Sequence, residues 1–285
     1  MGALEQLRKL TAEQRAILRS RDIKLHRTAD DLLALLTPLA ELDAAADSAR
    51  MKAGCLQVFS VVAAAVLLIT GFMLDGSGRI AALIACAALV ALAIFLRTRV
   101  VKPLALADIS DNLRTVAIPF LRVLREDVAP GEPVQMHIDL DPLVSKNHRL
   151  AEKKTKKTTE TNYLDPWFDG QATFADGTRL HWRVVARLRS RTRTKRSASG
   201  KTKMKTKNQL RSDAAVKLSF PAKTYRLIAN VNGASTEASP DGNAKRISIS
   251  LKNTQKTLET STHPFEMLVD LIADGYRSVA ARKGA

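Results

Sequence analysis

Two uncharged runs dominate the pattern of apolar and polar positions, residues 53–74 and 80–96, split only by Asp75-Gly76-Ser77-Gly78-Arg79. A bilayer core of ~30 Å needs about 20 apolar residues at a rise of 1.5 Å each. The runs supply 22 and 17, so they predict two transmembrane helices. The short Gly-containing link makes them antiparallel neighbours, and Gly71, Ala81, Ala85 and Ala88 predict a close approach of the two backbones. The alternative, a helical hairpin buried in a soluble core, fits poorly with runs of this length.

The flanking segments have helical spacing. Thr11-Ala12-Glu13-Gln14 and Thr28-Ala29-Asp30-Asp31 have the form of capping boxes. Leu32, Leu35, Leu36, Leu39 and Leu42 follow as an apolar stripe that Pro38 is expected to interrupt and bend. That stripe suits packing on the rest of the chain or on a second copy, so homo-oligomerisation stays open. After the second run, Ile109, Leu113, Val116, Ala117, Phe120, Leu121 and Leu124 form another stripe, with a kink expected at Pro119. Ala129-Pro130-Gly131-Glu132-Pro133 then breaks the pattern.

Beyond that break the period becomes two. Val134, Met136, Ile138 and Leu140 alternate with polar residues, as do Ile247, Ile249 and Leu251 with Ser248 and Ser250. Tyr225, Leu227, Ala229 and Val231 predict a weaker strand. Asp176-Gly177 predicts a two-residue hairpin turn. Pro264 opens a final amphipathic helix with Phe265, Leu268, Leu271, Ile272 and Val279 inward. The expected fold is α+β: a helical segment over 1–52, a transmembrane hairpin over 53–97, a juxtamembrane amphipathic helix over 98–130, and a domain over 131–285 built on an antiparallel sheet.

Within that sheet, Leu180, Trp182, Val184, Ala186 and Leu188 share one strand face, and Leu210, Ala214, Val216, Leu218 and Phe220 share another. The register in which residue numbers sum to 398 sets these faces opposite each other. It leaves the loop Ala198-Ser199-Gly200, with Gly where a left-handed residue is needed.

Charge then changes the picture. The net charge is +17, and residues 151–212 hold seventeen cations against five anions. Between Gly177 and Ser212 there are thirteen Lys or Arg and no Asp or Glu. In the 398 register Arg191 faces Lys207, Arg193 faces Lys205 and Lys195 faces Lys203, with Arg187, Arg189, Lys201 and Arg211 extending the same face. Like charges across a ladder repel, so this ribbon is the candidate site for a polyanion. The anionic head groups of the inner leaflet are favoured, with nucleic acid as the alternative. A disordered basic loop over 189–207 is the competing reading, because so long a ribbon is unusual. Arg50 and Lys52 before the first apolar run, and Arg97, Arg99 and Lys102 after the second, put both termini on the cytoplasmic side of the inner membrane.

Candidate chemistry is sparse. Gly200-Lys201-Thr202 resembles the end of a phosphate-binding loop but lacks the upstream Gly, since position 195 is Lys. His137, Asp139 and Asp141 share one strand face and offer the one constellation for a metal-dependent enzyme, although a solvated polar face explains them as well. His148, His181 and His263 have no partner legible in the sequence, and Trp167 after Asp165-Pro166 reads as a core residue following a turn. No cofactor and no enzymatic activity are expected. Asp165-Pro166-Trp167, Asp176-Gly177-Thr178 and Ser199-Gly200-Lys201-Thr202-Lys203 together resemble uncharacterised bacterial membrane proteins with two transmembrane helices, over Tyr163–Lys207. That resemblance implies membrane residence and carries no activity.

Overall fold

The structure is a computed structural model that describes residues 2–73, 75–155, 157–196, 202–228, 235–237, 246–257 and 263–282. It is a mixed helix and antiparallel-sheet protein, as its alternating patterns require, and it divides into two compact units. Met1–Ser20 with Leu36–Asp111 forms the first; Arg21–Leu35 with Asn112–Ala285 forms the second.

The first unit is helical. α1 (Ala3–Lys9) precedes α2 (Ala12–Ser20). Thr11 and Gln14 close the expected capping box reciprocally: the Gln14 amide donates to Thr11 Oγ1 at 3.2 Å, and the Thr11 amide to Gln14 Oε1 at 2.9 Å. α3 (Ala29–Gly71) continues for 43 residues without interruption at Pro38, where the sequence suggested one. The leucine stripe is nonetheless buried at all five positions. α4 (Ser77–Leu96) returns along α3. Both helices are long and apolar enough to cross a membrane. Their contact face differs from the expected one. Ala82 and Ala93 are buried, and a Cβ on Gly71 would lie 3.1 Å from Ala82 Cβ, whereas Ala81, Ala85 and Ala88 point outward. Midway along α3, Arg50 pairs with Asp47 and, at 2.6 Å, with Asp108.

The expected single juxtamembrane helix is instead broken. A π turn (Arg97–Val101) leads into α5 (Lys102–Leu104) and a 3-10 turn (Ala105–Ala107), and a second π turn (Leu113–Ala117) leads into α6 (Ile118–Asp127). Each π turn directly precedes a proline-bearing α segment, with Pro103 in α5 and Pro119 in α6. Proline has no N–H for the helical ladder, and the i→i−5 bond from the preceding residue, Lys102 to Arg97 or Ile118 to Leu113, accommodates its loss.

The second unit is built on an eight-stranded antiparallel sheet. Its strands are β1 (Asp22–Thr28), β2 (Pro133–Asp139), β3 (Arg149–Lys154), β4 (Thr158–Thr173), β5 (Arg179–Arg196), β6 (Thr202–Pro221), β8 (Ser235–Glu237) and β9 (Arg246–Thr257). The order is β1-β2-β4-β5-β6-β9-β8, with β3 on β4. β7 (Tyr225–Leu227) pairs instead with β10 (Val279–Ala281), after α7 (Pro264–Arg277). Ala229 and Val231 of the weaker predicted strand lie outside the described residues, and Val279 belongs to β10 rather than to the final helix. Asp22–Thr28 corrects the expectation of a wholly helical segment over 1–52: it is a strand on the edge of this sheet, paired with β2.

One sheet face carries the core. Phe120 of α6 packs edge-on against Phe168 and Trp182, with ring centroids 5.8 and 5.2 Å apart, and α7 covers β6 and β9. Burying these aromatics stabilises the layer, and each edge-to-face pair adds about 0.5–1.5 kcal/mol beyond the burial itself. Gly170 sits where β2 and β4 meet, and a Cβ there would lie 2.5 Å from the Gln135 carbonyl oxygen and against the Trp182 ring. A backbone carbonyl cannot rotate away, so Gly170→Ala is expected to destabilise this unit by about 3 kcal/mol, measured as a fall in its thermal midpoint. An unchanged midpoint would contradict this packing.

The Asp176-Gly177 hairpin exists, but with a three-residue loop. Phe174 and Thr178 close it, Gly177 donates to the Phe174 carbonyl at 2.9 Å, and only Gly177 has a positive φ, 78°. A two-residue turn of the expected type needs positive φ at both central residues, and Asp176 does not adopt it.

Candidate functional site

β5 and β6 pair in the expected register along their whole described length, from Arg179 opposite Ser219 to Arg196 opposite Thr202. Arg191 lies opposite Lys207, Arg193 opposite Lys205 and Lys195 opposite Lys203, all exposed. The strands are ordered as a ribbon rather than a loop through these pairs. The turn Ala198-Ser199-Gly200 and Lys201 lie outside the described residues.

The ribbon is not bare. β4 continues alongside β5 as far as Thr158 opposite Arg193, and β3 lies along β4, with Lys153 opposite Glu160. One row therefore crosses four strands, Lys153–Glu160–Arg191–Lys207. Glu160 grips Arg189 in a two-pronged contact at 2.8 and 3.0 Å. That hydrogen-bonded pair, with the nearby charges of Arg191 and Lys153, holds the Glu160 carboxyl below its ordinary range. Arg187 pairs with Asp213 at 2.9 Å. Among the described residues, no carboxylate forms an ion pair with Arg193, Lys195, Lys203, Lys205, Lys207 or Arg211. The outer half of the ribbon thus keeps its repulsion, while its inner half is partly neutralised. Lys153 and Glu160 are members of this face that the sequence pattern alone did not reveal.

A β-bulge places Glu160. Asp165 pairs with Ala186 and Phe168 with Val184, so two residues, Pro166 and Trp167, oppose one on β5. Pro166 has no N–H for the ladder and fits this position. The extra residue reverses the side-chain parity of β4: Glu160 joins the basic face and Asp165 turns inward beside Ala186. Trp167 is a core residue as expected, but it belongs to a bulge within a strand and does not follow a turn.

The predicted trio His137, Asp139 and Asp141 shares a strand end yet is drawn to separate partners. His137 lies between Asp22, 2.8 Å from Nε2, and Asp169, 3.0 Å from Nδ1. Asp141 accepts from Asn147 at 3.2 Å and faces Arg21 at 3.8 Å. Asp139 instead joins His148 and Asp165, and the three ligand atoms lie within 4.8 Å of one another. His148 Nε2 is 3.0 Å from Asp139 Oδ2 and 3.6 Å from Asp165 Oδ1, and its Nδ1 is 3.2 Å from the Pro142 carbonyl. His148 and Asp165 are buried, 6% and 2% exposed. Burial, then the charges of Asp139 and Asp141, push the Asp165 carboxyl up to about 7 against the opposing pull of His148. Burial lowers the His148 imidazole, but the hydrogen bond to Asp139 and the charge of Asp165 outweigh it and leave it raised.

The solvent face of β1, β2, β4 and β5 carries a shallow trough of about 860 Å³ lined by His26, His137, Asp169, His181 and Arg183 among others. It is broad and open, without the convergent enclosure of a small-molecule site. Compared with protein-family models, curated proteins and solved structures, the chain matches none of them.

Proposed function

We propose that this chain is a two-pass protein of a bacterial inner membrane, both termini cytoplasmic, whose basic ribbon binds a polyanionic surface, the anionic inner leaflet before nucleic acid. The role is that of a scaffold or interaction module, without catalysis. The observation that carries the reading is the run of same-sign cross-strand pairs from Arg191–Lys207 outward, held in a ladder that repulsion disfavours unless an anion offsets it. Each Lys or Arg near an anionic leaflet contributes about 1 kcal/mol of attraction. Few aromatics interleave with these charges, which disfavours base stacking.

The membrane part rests on exposure. Only 17% and 11% of the most apolar windows of the two helices are buried, with Phe59, Ile69, Phe72, Ile84 and Phe95 among the large apolar side chains left outward. A core helix of a soluble protein buries its large side chains, and lipid is the solvent that suits these. A reporter fused after residue 285 is expected to be active only in the cytosol, and protease added to the periplasm of intact cells should leave the sheet unit uncut. Cleavage there would overturn the topology.

The binding test uses the full chain, because a fragment starting near residue 103 would lack β1 and expose the β2 edge. Held in neutral-lipid nanodiscs, it is titrated with phosphatidylserine vesicles, phosphatidylcholine vesicles and duplex DNA over a salt series. Binding to the anionic vesicles that weakens steeply with salt is expected, since exposed charges are screened beyond about 8 Å at physiological ionic strength. Preference for DNA would replace the leaflet with nucleic acid, and indifference to all three at low salt would end the polyanion reading.

A further inference from the structure

The cluster at the end of β2 leaves a buried carboxylate oxygen, Asp165 Oδ1, without a hydrogen-bond partner. The Pro142 carbonyl can only accept, so His148 Nδ1 carries a proton and donates to it. In the neutral ring Nε2 is then a bare lone pair, facing two carboxylates. If the ring is an imidazolium, its single Nε2–H goes to Asp139 at 3.0 Å. Asp165 Oδ1, at 3.6 Å, is too far for a hydrogen bond. It is buried with no hydrogen-bond partner. Leaving a buried carboxylate oxygen unmatched is costly.

We propose that Asp139, His148 and Asp165 hold a divalent transition-metal ion. Two carboxylates balance a 2+ charge, and an ion between them reaches Asp165 Oδ1 as well as Asp139 Oδ2. Tetrahedral ligands at ~2.1 Å from a Zn²⁺ lie about 3.4 Å apart, and the observed 3.0 and 3.6 Å straddle that separation. The imidazole selects a transition metal over Mg²⁺ or Ca²⁺, which prefer all-oxygen shells. The supporting contacts have the form that metal ligands require: Nδ1–H donates to a backbone carbonyl, and Asp139 Oδ1 accepts the Asp141 amide at 2.8 Å. Asp139 is partly exposed, so water can complete the shell. The bulge at Pro166-Trp167 is what turns Asp165 inward to meet the other two. The ion would tie β2, the loop over 140–148 and the β4 bulge together, a structural role independent of the ribbon.

The test uses the full untagged chain in detergent micelles, stripped with chelator and then offered Zn²⁺. One retained equivalent is expected, with a rise in thermal midpoint on Zn²⁺ addition. His148→Gln and the isosteric Asp165→Asn should each weaken retention by at least about 100-fold, more than loss of an outer partner costs, and should lose the thermal response. His137→Ala should retain the full equivalent. Should either ligand variant fail to fold, Co²⁺ loaded into the wild-type chain reports the donor set through its d–d absorption. No retained Zn²⁺ and no Co²⁺ band in the wild type, or loss of the metal in His137→Ala alone, would overturn the site.

Discussion

Replacing Arg191, Arg193, Lys203 and Lys205 together with Gln is expected to weaken binding to anionic vesicles about a thousandfold. Four cations at about 1 kcal/mol each amount to about 4 kcal/mol, and 1.4 kcal/mol is a factor of ten. These four are chosen because together they take at least one member from each of the like-charged pairs Arg191–Lys207, Arg193–Lys205 and Lys195–Lys203 across β5 and β6. Charges without a carboxylate partner lose no internal contact when they engage an external anion. Arg187 and Arg189 differ, because Asp213 and Glu160 already hold them. Substituting those two should weaken binding less per residue. The same quadruple variant removes like charges from the ladder, so its thermal midpoint should be unchanged or slightly raised. A vesicle affinity within threefold of wild type would mean that the ribbon is not the contact surface. A large fall in midpoint would mean that these side chains serve the fold instead.

The ribbon was legible because two signals agreed. Apolar residues at Leu180, Trp182, Val184 and Leu188 lie at alternate positions, as do Leu210, Val216 and Leu218, and of the registers that keep these faces together the Ala198-Ser199-Gly200 loop selects the one summing to 398. A slip by one residue would expose all of them. The inner-face burial of Val134, Met136, Ile138 and Leu140 was legible for the same reason. The strand Asp22–Thr28 was not. It offers only Ile23 and Leu25 among five polar or charged residues, sits on an edge, and follows two short helices whose period masks it. Its existence depends on pairing with β2, 105 or more residues away, which local pattern does not encode. The buried cluster was hidden for a related reason. His148 lies in a loop, and Asp165 reaches it only because a bulge reverses the parity of β4. Counted without that bulge, Asp165 would face Arg187 on the solvent side. The pattern set His137, Asp139 and Asp141 on one strand face, but β2 ends at Asp139 and leaves Asp141 beyond it, and same-face placement says nothing about the neighbouring strands, which supply Asp22 and Asp169 to His137.

Asp176→Ala is expected to cost the sheet unit about 3 kcal/mol, although Asp176 lies in a hairpin loop. Its Oδ2 accepts from the Tyr225 hydroxyl at 2.7 Å, the Tyr276 hydroxyl at 2.9 Å and Thr178 Oγ1 at 2.9 Å, while Oδ1 accepts the Thr178 amide at 2.7 Å. This one carboxylate therefore joins the β4–β5 loop to β7 and to the end of α7, beneath a cluster in which the Phe220 and Tyr276 rings meet edge-on at 5.1 Å. Hydrogen bonds to a charged group are worth about 1.5–3 kcal/mol each and do not add fully, and the hydroxyls left behind lose their acceptor. Tyr225→Phe and Tyr276→Phe, each removing one donor, should cost about 1 kcal/mol. Burial raises the Asp176 carboxyl, but these donors outweigh it and hold it below the ordinary carboxylate range. Its contribution is therefore complete above the unfolded-state pKa and is lost as pH falls through the lower folded value. Asp127, close by, is shifted the other way by burial and by the charges of Asp176 and Glu126, so acid relieves a cost there while it removes the Asp176 contribution. The stability gap between wild type and Asp176→Ala should consequently be widest near neutral pH and narrow in acid below the usual carboxylate range. A gap that stays constant through and below that range would show that the loop is held by the packing of Phe174, Phe220 and Tyr276 and not by the charge of Asp176.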